Sequence, residues 1–171
     1  MGELADRIHA MQVRASTPDG RVTTALRHRS EVTLAFAPGW YDRCDERDLE
    51  RRLAALASLL WVARTREYWR TVSDVTGDDA THEEKPVSPR DVKFAEAREA
   101  LVARGSSADG RVCLSVEGMR RWTVRVAPGT VRALDEHEFG SAVGQAAAEL
   151  IEDQFSKIAR LKYKIYEGPE G

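Results

Sequence analysis

Apolar and polar residues alternate at period two in two stretches of the chain, and each stretch has a counterpart ninety residues on. Val22, Thr24 and Leu26 are followed, after a turn near His28, by Val32, Leu34 and Phe36. Val112, Leu114 and Val116 are followed, after a turn near Gly118, by Trp122, Val124 and Val126. Alternation of this kind puts one set of side chains on the core face of a strand and the other on a wet or partner-facing side. Ahead of each run stands Asp-Gly, at Asp19-Gly20 and Asp109-Gly110, a pair that accepts the positive φ angles of a tight hairpin turn. Short strands over Val13–Thr17 and Ala103–Ser107 complete each hairpin. Pro38-Gly39 and Pro128-Gly129 stop both runs, since proline cannot continue a ladder. The pattern predicts two three-stranded antiparallel meanders.

Helices flank each meander. Leu4, Ile8 and Met11 sit at helical spacing, and Phe94 and Leu101 take the matching places of Leu4 and Met11. Ser88-Pro89, with Asp91 behind it, marks the start of the second of these helices. A long helix follows each meander, with N-caps predicted at Asp45 and Asp135 and acidic Asp48 and Glu138 three residues on. The apolar stripes run Leu49, Leu53, Leu56, Leu60 and Phe139, Val143, Ala146, Leu150, a spacing expected of a helix seam, with Ala57 and Ala147 beside it.

The correspondence is a gap-free internal repeat. Ala10–Arg70 lies over Ala100–Arg160, and identities such as Asp19/Asp109, Gly20/Gly110, Pro38/Pro128 and Asp45/Asp135 fall at turns and caps. The expected organisation is a first unit over residues 1–70, an acidic linker over 71–87 that lets the halves reposition, a second unit over 88–166 and a frayed tail over 167–171.

Charge bounds the function. Charged residues are 32% of the 171-residue chain and the formal net charge is −2, so no overall basic field draws nucleic acid. Cys44 and Cys113 occupy non-equivalent places in the repeat, which argues against a disulfide framework and for a cytoplasmic, reducing home. No run approaches the roughly eighteen apolar residues of a membrane span, and the N-terminus lacks a signal-peptide pattern.

The element order, the Asp-Gly turn ahead of alternating strands, and the helix starts at Asp45-Glu46 and Asp135-Glu136 together resemble the YbaB/EbfC nucleoid-associated proteins. That family works as homodimers of α-β-β-β-α protomers. The resemblance implies an α+β chain of two tandem YbaB-like units forming an intramolecular pseudo-dimer with a non-enzymatic, DNA-binding role. Ala-Pro-Gly stands where the family has Asp-Pro after the third strand. The first long helix and its exit, "LASLLWVARTREYWRTVSDVTG", also resemble YbaB-like proteins that accompany type VII secretion, which implies a chaperone or protein-interaction adaptor instead.

Candidate chemistry divides along the same line. His9, His28, His82 and His137 have no partner at metal-ligand spacing, there is no phosphate loop or nucleophile elbow, and no cofactor or catalytic residue is expected. Arg21 and Arg111, behind the Asp-Gly turns, are possible anion contacts. For DNA, Arg43, Arg47 and Arg51 recur every four residues with Arg52 alongside, and Lys157, Arg160 and Lys164 form a second stripe. The same residues also read as solvated faces paired with Asp48, Glu50, Glu152 and Asp153. For a protein partner, Trp40 and Tyr41 after the Pro38-Gly39 turn are the expected exposed anchors, while Trp61 packs inward.

Overall fold

The computed structural model describes residues 2–80 and 83–169. His82, placed in the predicted linker, and the Glu170-Gly171 end of the predicted tail lie outside them. The fold is mixed α+β, with two three-stranded antiparallel sheets, each in sequential strand order. In the first half, helix α1 (Glu3–His9) leads into β1 (Gln12–Ser16), β2 (Val22–Arg27) and β3 (Glu31–Phe36), then a 3₁₀ turn (Tyr41–Arg43) and the long helix α2 (Glu46–Thr76). The second half repeats this order with α3 (Pro89–Ala100), β4 (Val102–Ser106), β5 (Val112–Glu117), β6 (Arg121–Val126), a one-turn α4 (Thr130–Ala133) and α5 (Glu136–Lys162), closed by a π-helical turn over Tyr163–Glu167.

The local signals act through identifiable bonds. Asp45 and Asp135 accept the Asp48 and Glu138 N–H groups at 2.7 and 2.8 Å, and Ser88 forms a reciprocal capping box with Asp91. In the Asp-Gly turns only the glycines take positive φ, 69° at Gly20 and 72° at Gly110. Asp19 and Asp109 serve the turn differently from the expectation: each carboxylate accepts the N–H two residues on and the hydroxyl of Thr17 or Ser107.

Two predicted boundaries move. α2 runs six residues past Arg70, because Thr71 is buried against Met11, and it ends where Gly77 turns left-handed at φ 75°. The connection between halves is correspondingly shorter than 71–87. At the other end, the Tyr166 hydroxyl donates to Asp91 at 2.8 Å and its ring lies 5.8 Å from that of Phe94, tying the chain down through Glu167.

Each long helix serves both sheets. α2 lies against β1 and β2 of its own half and β6 of the other; α5 lies against β4 and β5 and also β3. One apolar cluster therefore joins Val22, Leu49 and Leu53 to Val112, Val124 and Phe139, and a second joins Leu26 and Leu60 to Val116, Leu150 and Ile151. At about 1.5–3 kcal/mol for each large apolar side chain buried, neither half keeps its core without the other. The halves do not reposition as free units. Both stripes read from the sequence are buried, but they are spent on the sheets instead of on a helix-to-helix seam. Between α2 and α5 remains a cavity of about 70 Å³.

Close backbone approach fixes α5. A Cβ at Gly105 in β4 would lie 2.1 Å from the Ala146 carbonyl oxygen and 2.4 Å from the Leu150 nitrogen. Gly105→Ala is therefore expected to destabilise by roughly 3 kcal/mol or more, read as a lowered urea midpoint, because backbone cannot rotate away as a side chain can. A second expectation follows from the shared clusters. Residues 1–77 expressed alone will aggregate or self-associate, and co-expression with residues 83–171 will restore a soluble one-to-one complex in sedimentation. A well-folded monomeric first half would contradict it.

Candidate functional site

The ladder register decides what β3 offers at its free edge. The Ala37 N–H donates to Arg21 O at 2.8 Å, so the pairs in phase with it bond to β2, while Val32, Leu34 and Phe36 turn their N–H and C=O groups outward. The first half of α5 lies along that edge, and it can do so because its facing residues are glycines. A Cβ at Gly144 would sit 2.8 Å from Val32 O, and one at Gly140 would sit 3.7 Å from Leu34 O. Strand and helix together leave a groove of about 930 Å³, with Thr33 and Ala35 on one wall and Ser141, Gln145 and Ala148 on the other. Glu31, Asp135 and Glu136 make its surround acidic, and His137 joins them.

The corresponding seam in the other half is plugged. Glu50, at the position of Gly140, accepts the Val126 N–H at 3.4 Å, and Glu46 accepts the Val131 N–H at 3.2 Å. Val126 corresponds to Phe36, and no carboxylate stands at the matching place beside Phe36. One seam is closed by carboxylate side chains; the other is closed by backbone contact at Gly144 and opens beside Gly140.

Tyr41, expected at the surface, is buried, since its hydroxyl donates to Leu134 O at 2.8 Å, across the two halves. Burial pushes its phenol up to about 12, with the Cys44, Asp135 and Glu46 charges adding. Trp40 is half-buried, not a projecting anchor. Its ring stacks on Phe36 at 5.8 Å, and the Arg52 guanidinium lies 4.8 Å over it. Phe36, Tyr41 and Phe139 pack mutually at 5.3–6.1 Å, forming an aromatic cluster behind the Phe36 end of the groove. Trp61 does line the internal cavity. The Cys44 thiol is pushed up to about 11, by burial first and then by Asp48, which leaves it unreactive.

The basic stripes are largely consumed. Arg52 binds Asp19 at 2.7 Å and Asp48 at 3.1 Å, and Arg51 reaches Asp48 at 3.2 Å. Arg43 belongs to the 3₁₀ turn before the Asp45 cap, so it does not continue the helical spacing of Arg47 and Arg51. Lys157 bonds Asp153 and the Val102 carbonyl, both at 2.8 Å, while Asp153 also accepts the Arg104 N–H at 2.9 Å. Burial pushes the Asp153 carboxyl up, and these bonds together outweigh it and hold it below its ordinary value. Arg43, Arg47, Arg160 and Lys164 remain exposed. The two groups sit apart, one where α2 meets β6 and the other near α3 and β4, at opposite edges of the second sheet.

A basic surface that the stripe reading missed lies on that sheet's outer face. Arg104, Arg121 and Arg125 project there beside Ser106, Ser115 and Thr123, and a shallow pocket of about 510 Å³ lies between Arg104 and Arg125. Its signal was present in the strand alternation, at the polar positions. Arg111 stays close to Asp109, at 3.7 Å, and Arg21 is exposed.

Of the histidines, His9 and His28 stack on one another at 5.2 Å. Among the described residues no group of three His, Cys, Asp or Glu is placed to hold a metal ion, and no helix is long and apolar enough to cross a membrane. No family model, curated protein or solved structure matches the chain. The likeness to YbaB/EbfC proteins therefore rests on element order and short motifs.

The Asp19–Arg52 bond yields a pH expectation. Hydrogen bonds from Arg52, then Thr17 and the Arg21 N–H, hold the Asp19 carboxyl down at about 2. A carboxyl depressed on folding contributes stability that is complete above its unfolded value near 3.8 and is lost as pH falls through about 2. Asp19→Asn is expected to be less stable than wild type above pH 4, the difference closing between about pH 4 and pH 2 in thermal unfolding.

Proposed function

We propose that the chain is a non-enzymatic protein-binding adaptor, built as an intramolecular pseudo-dimer of two YbaB-like units, whose partner docks in the groove between β3 and α5. The repeated element order and the clusters shared by both halves support the tandem reading. One observation carries the adaptor reading: the carboxylate of Glu50 that closes the seam in one half has only Gly140 at its place in the other, where the groove opens. The favoured occupant is an extended, positively charged protein segment. Its carbonyls would meet the outward N–H groups of β3, and its cations would face Glu31, Asp135 and Glu136. Trp40 then acts through Phe36, bracing one end of the groove. The narrower likeness to secretion-associated adaptors points the same way.

A DNA-binding role is the second reading, and the arginines on the outer face of the second sheet favour it. Phosphate contacts there would be steeply salt-dependent and indifferent to sequence. The stripe of Arg43, Arg47, Arg51 and Arg52 carries this reading less well, because Asp19 and Asp48 already neutralise part of it.

Photo-crosslinking residues placed at Ala35, Gln145 and, as reference, Ser115 separate the two readings in the native host. The adaptor reading expects a discrete protein crosslinked from Ala35 and Gln145, reduced at least tenfold by Gly140→Glu, which supplies the missing carboxylate. Nucleic acid crosslinked from Ser115, with nothing from the groove, would replace it with the DNA reading.

A further inference from the structure

The outward face of α2 carries a second apolar stripe that neither core cluster uses. Ala55, Leu59, Val62, Arg66 and Trp69 follow one another at alternating spacings of four and three residues, the step of a two-stranded helix seam. Leu59 and Val62 are 49% and 46% exposed, on the side of the helix turned away from the buried Leu53 and Leu60. The corresponding positions on α5 are Gln145, Glu149, Glu152, Ser156 and Ala159, so the repeated fold does not itself require the stripe.

Charge is divided along it. Arg47 and Arg51 stand exposed ahead of Ala55, and the 3.2 Å pair of the 80% exposed Arg51 with Asp48 is of a kind that costs little to exchange. Beyond Trp69, the Ser73 hydroxyl donates to Ala80 O at 3.0 Å and accepts the Ala80 N–H at 2.8 Å, which folds the exposed Asp78 and Asp79 back beside the end of the helix. The face thus runs from cations through apolar residues to anions, an order complementary to its own reverse. Size obeys the same reversal. Trp69, its ring edge-on to Tyr68 at 5.1 Å, stands as far from Val62 on one side as the small Ala55 does on the other.

We propose that a second copy of the chain docks on this face, its α2 antiparallel to the first about a two-fold axis at Val62. Each Trp69 enters the notch left by the partner's Ala55, and Arg47 and Arg51 face the partner's Asp78 and the partner's Asp79. None of these residues lines the groove beside β3, so the dimer stands apart from the adaptor reading.

Sedimentation equilibrium of the full chain tests this. A monomer–dimer equilibrium is expected, and Val62→Glu, which sets two carboxylates face to face on the axis, should weaken it about tenfold or more with the far-UV circular dichroism unchanged. Arg47→Glu with Arg51→Glu should also weaken it, as should Asp78→Arg with Asp79→Arg, and the four changes together should return it to within about threefold of wild type. Under mild oxidation in a Cys113→Ser background, Val62→Cys should form a disulfide-linked dimer, and Ser156→Cys, exposed on α5, should not. A chain that stays monomeric at about 0.1 mM, a dimer untouched by Val62→Glu, a charge exchange that fails to restore it, or equal crosslinking from both cysteines would each overturn the proposal.

Discussion

The molecule depends on one helix being able to touch two sheets at backbone distance. α5 passes Val32 of the first sheet at Gly144 and meets β4 of the second at Gly105, and at each crossing a side chain would occupy space already held by main-chain atoms. Dispersion and burial then accrue on both sides of one rigid rod, which locks the sheets to each other without any strand passing between them. The charged details are secondary to this. Asp153 and Lys157 stitch α5 to β4, but they do so on a helix the glycines have already seated.

Repetition and asymmetry coexist because they live at different levels. Caps, turns and stripes recur at the same offsets, so each half makes the same elements. The seams between helix and strand edge do not recur. Glu50 and Gly140 occupy corresponding places, yet one fills a seam with a carboxylate and the other leaves it open. A fold made twice thus presents two unlike faces, and the functional reading rests on that difference.

What was legible in the sequence is what neighbours decide. Ser88, Asp45 and Asp135 cap their helices within three residues, and Leu49 through Leu60 declare a buried face by spacing alone. Tyr41 was misread because its hydroxyl partner, Leu134, stands 93 residues away. The pairing of Arg52 with Asp48 was legible along the helix, but its bond to Asp19 was not, because Asp19 reaches it across 33 residues. The groove was hidden for a related reason: period-two and helical patterns say which face is buried, not which helix lies on which strand. The gap-free repeat held its one clue, glycines at 140 and 144 opposite Glu50 and Ala54.

The contact of α2 with β6 bears on how the chain is made. Leu49 and Leu53 leave the ribosome about 75 residues before Val124 and Val126, against which they finally pack. At about 5–20 residues per second, the apolar face of α2 waits roughly 4–15 s for its other sheet. During that interval the nascent chain holds a finished helix with half its partner unmade. Synthesis is therefore the stage at which this protein is most open to aggregation and most in need of a chaperone's cover.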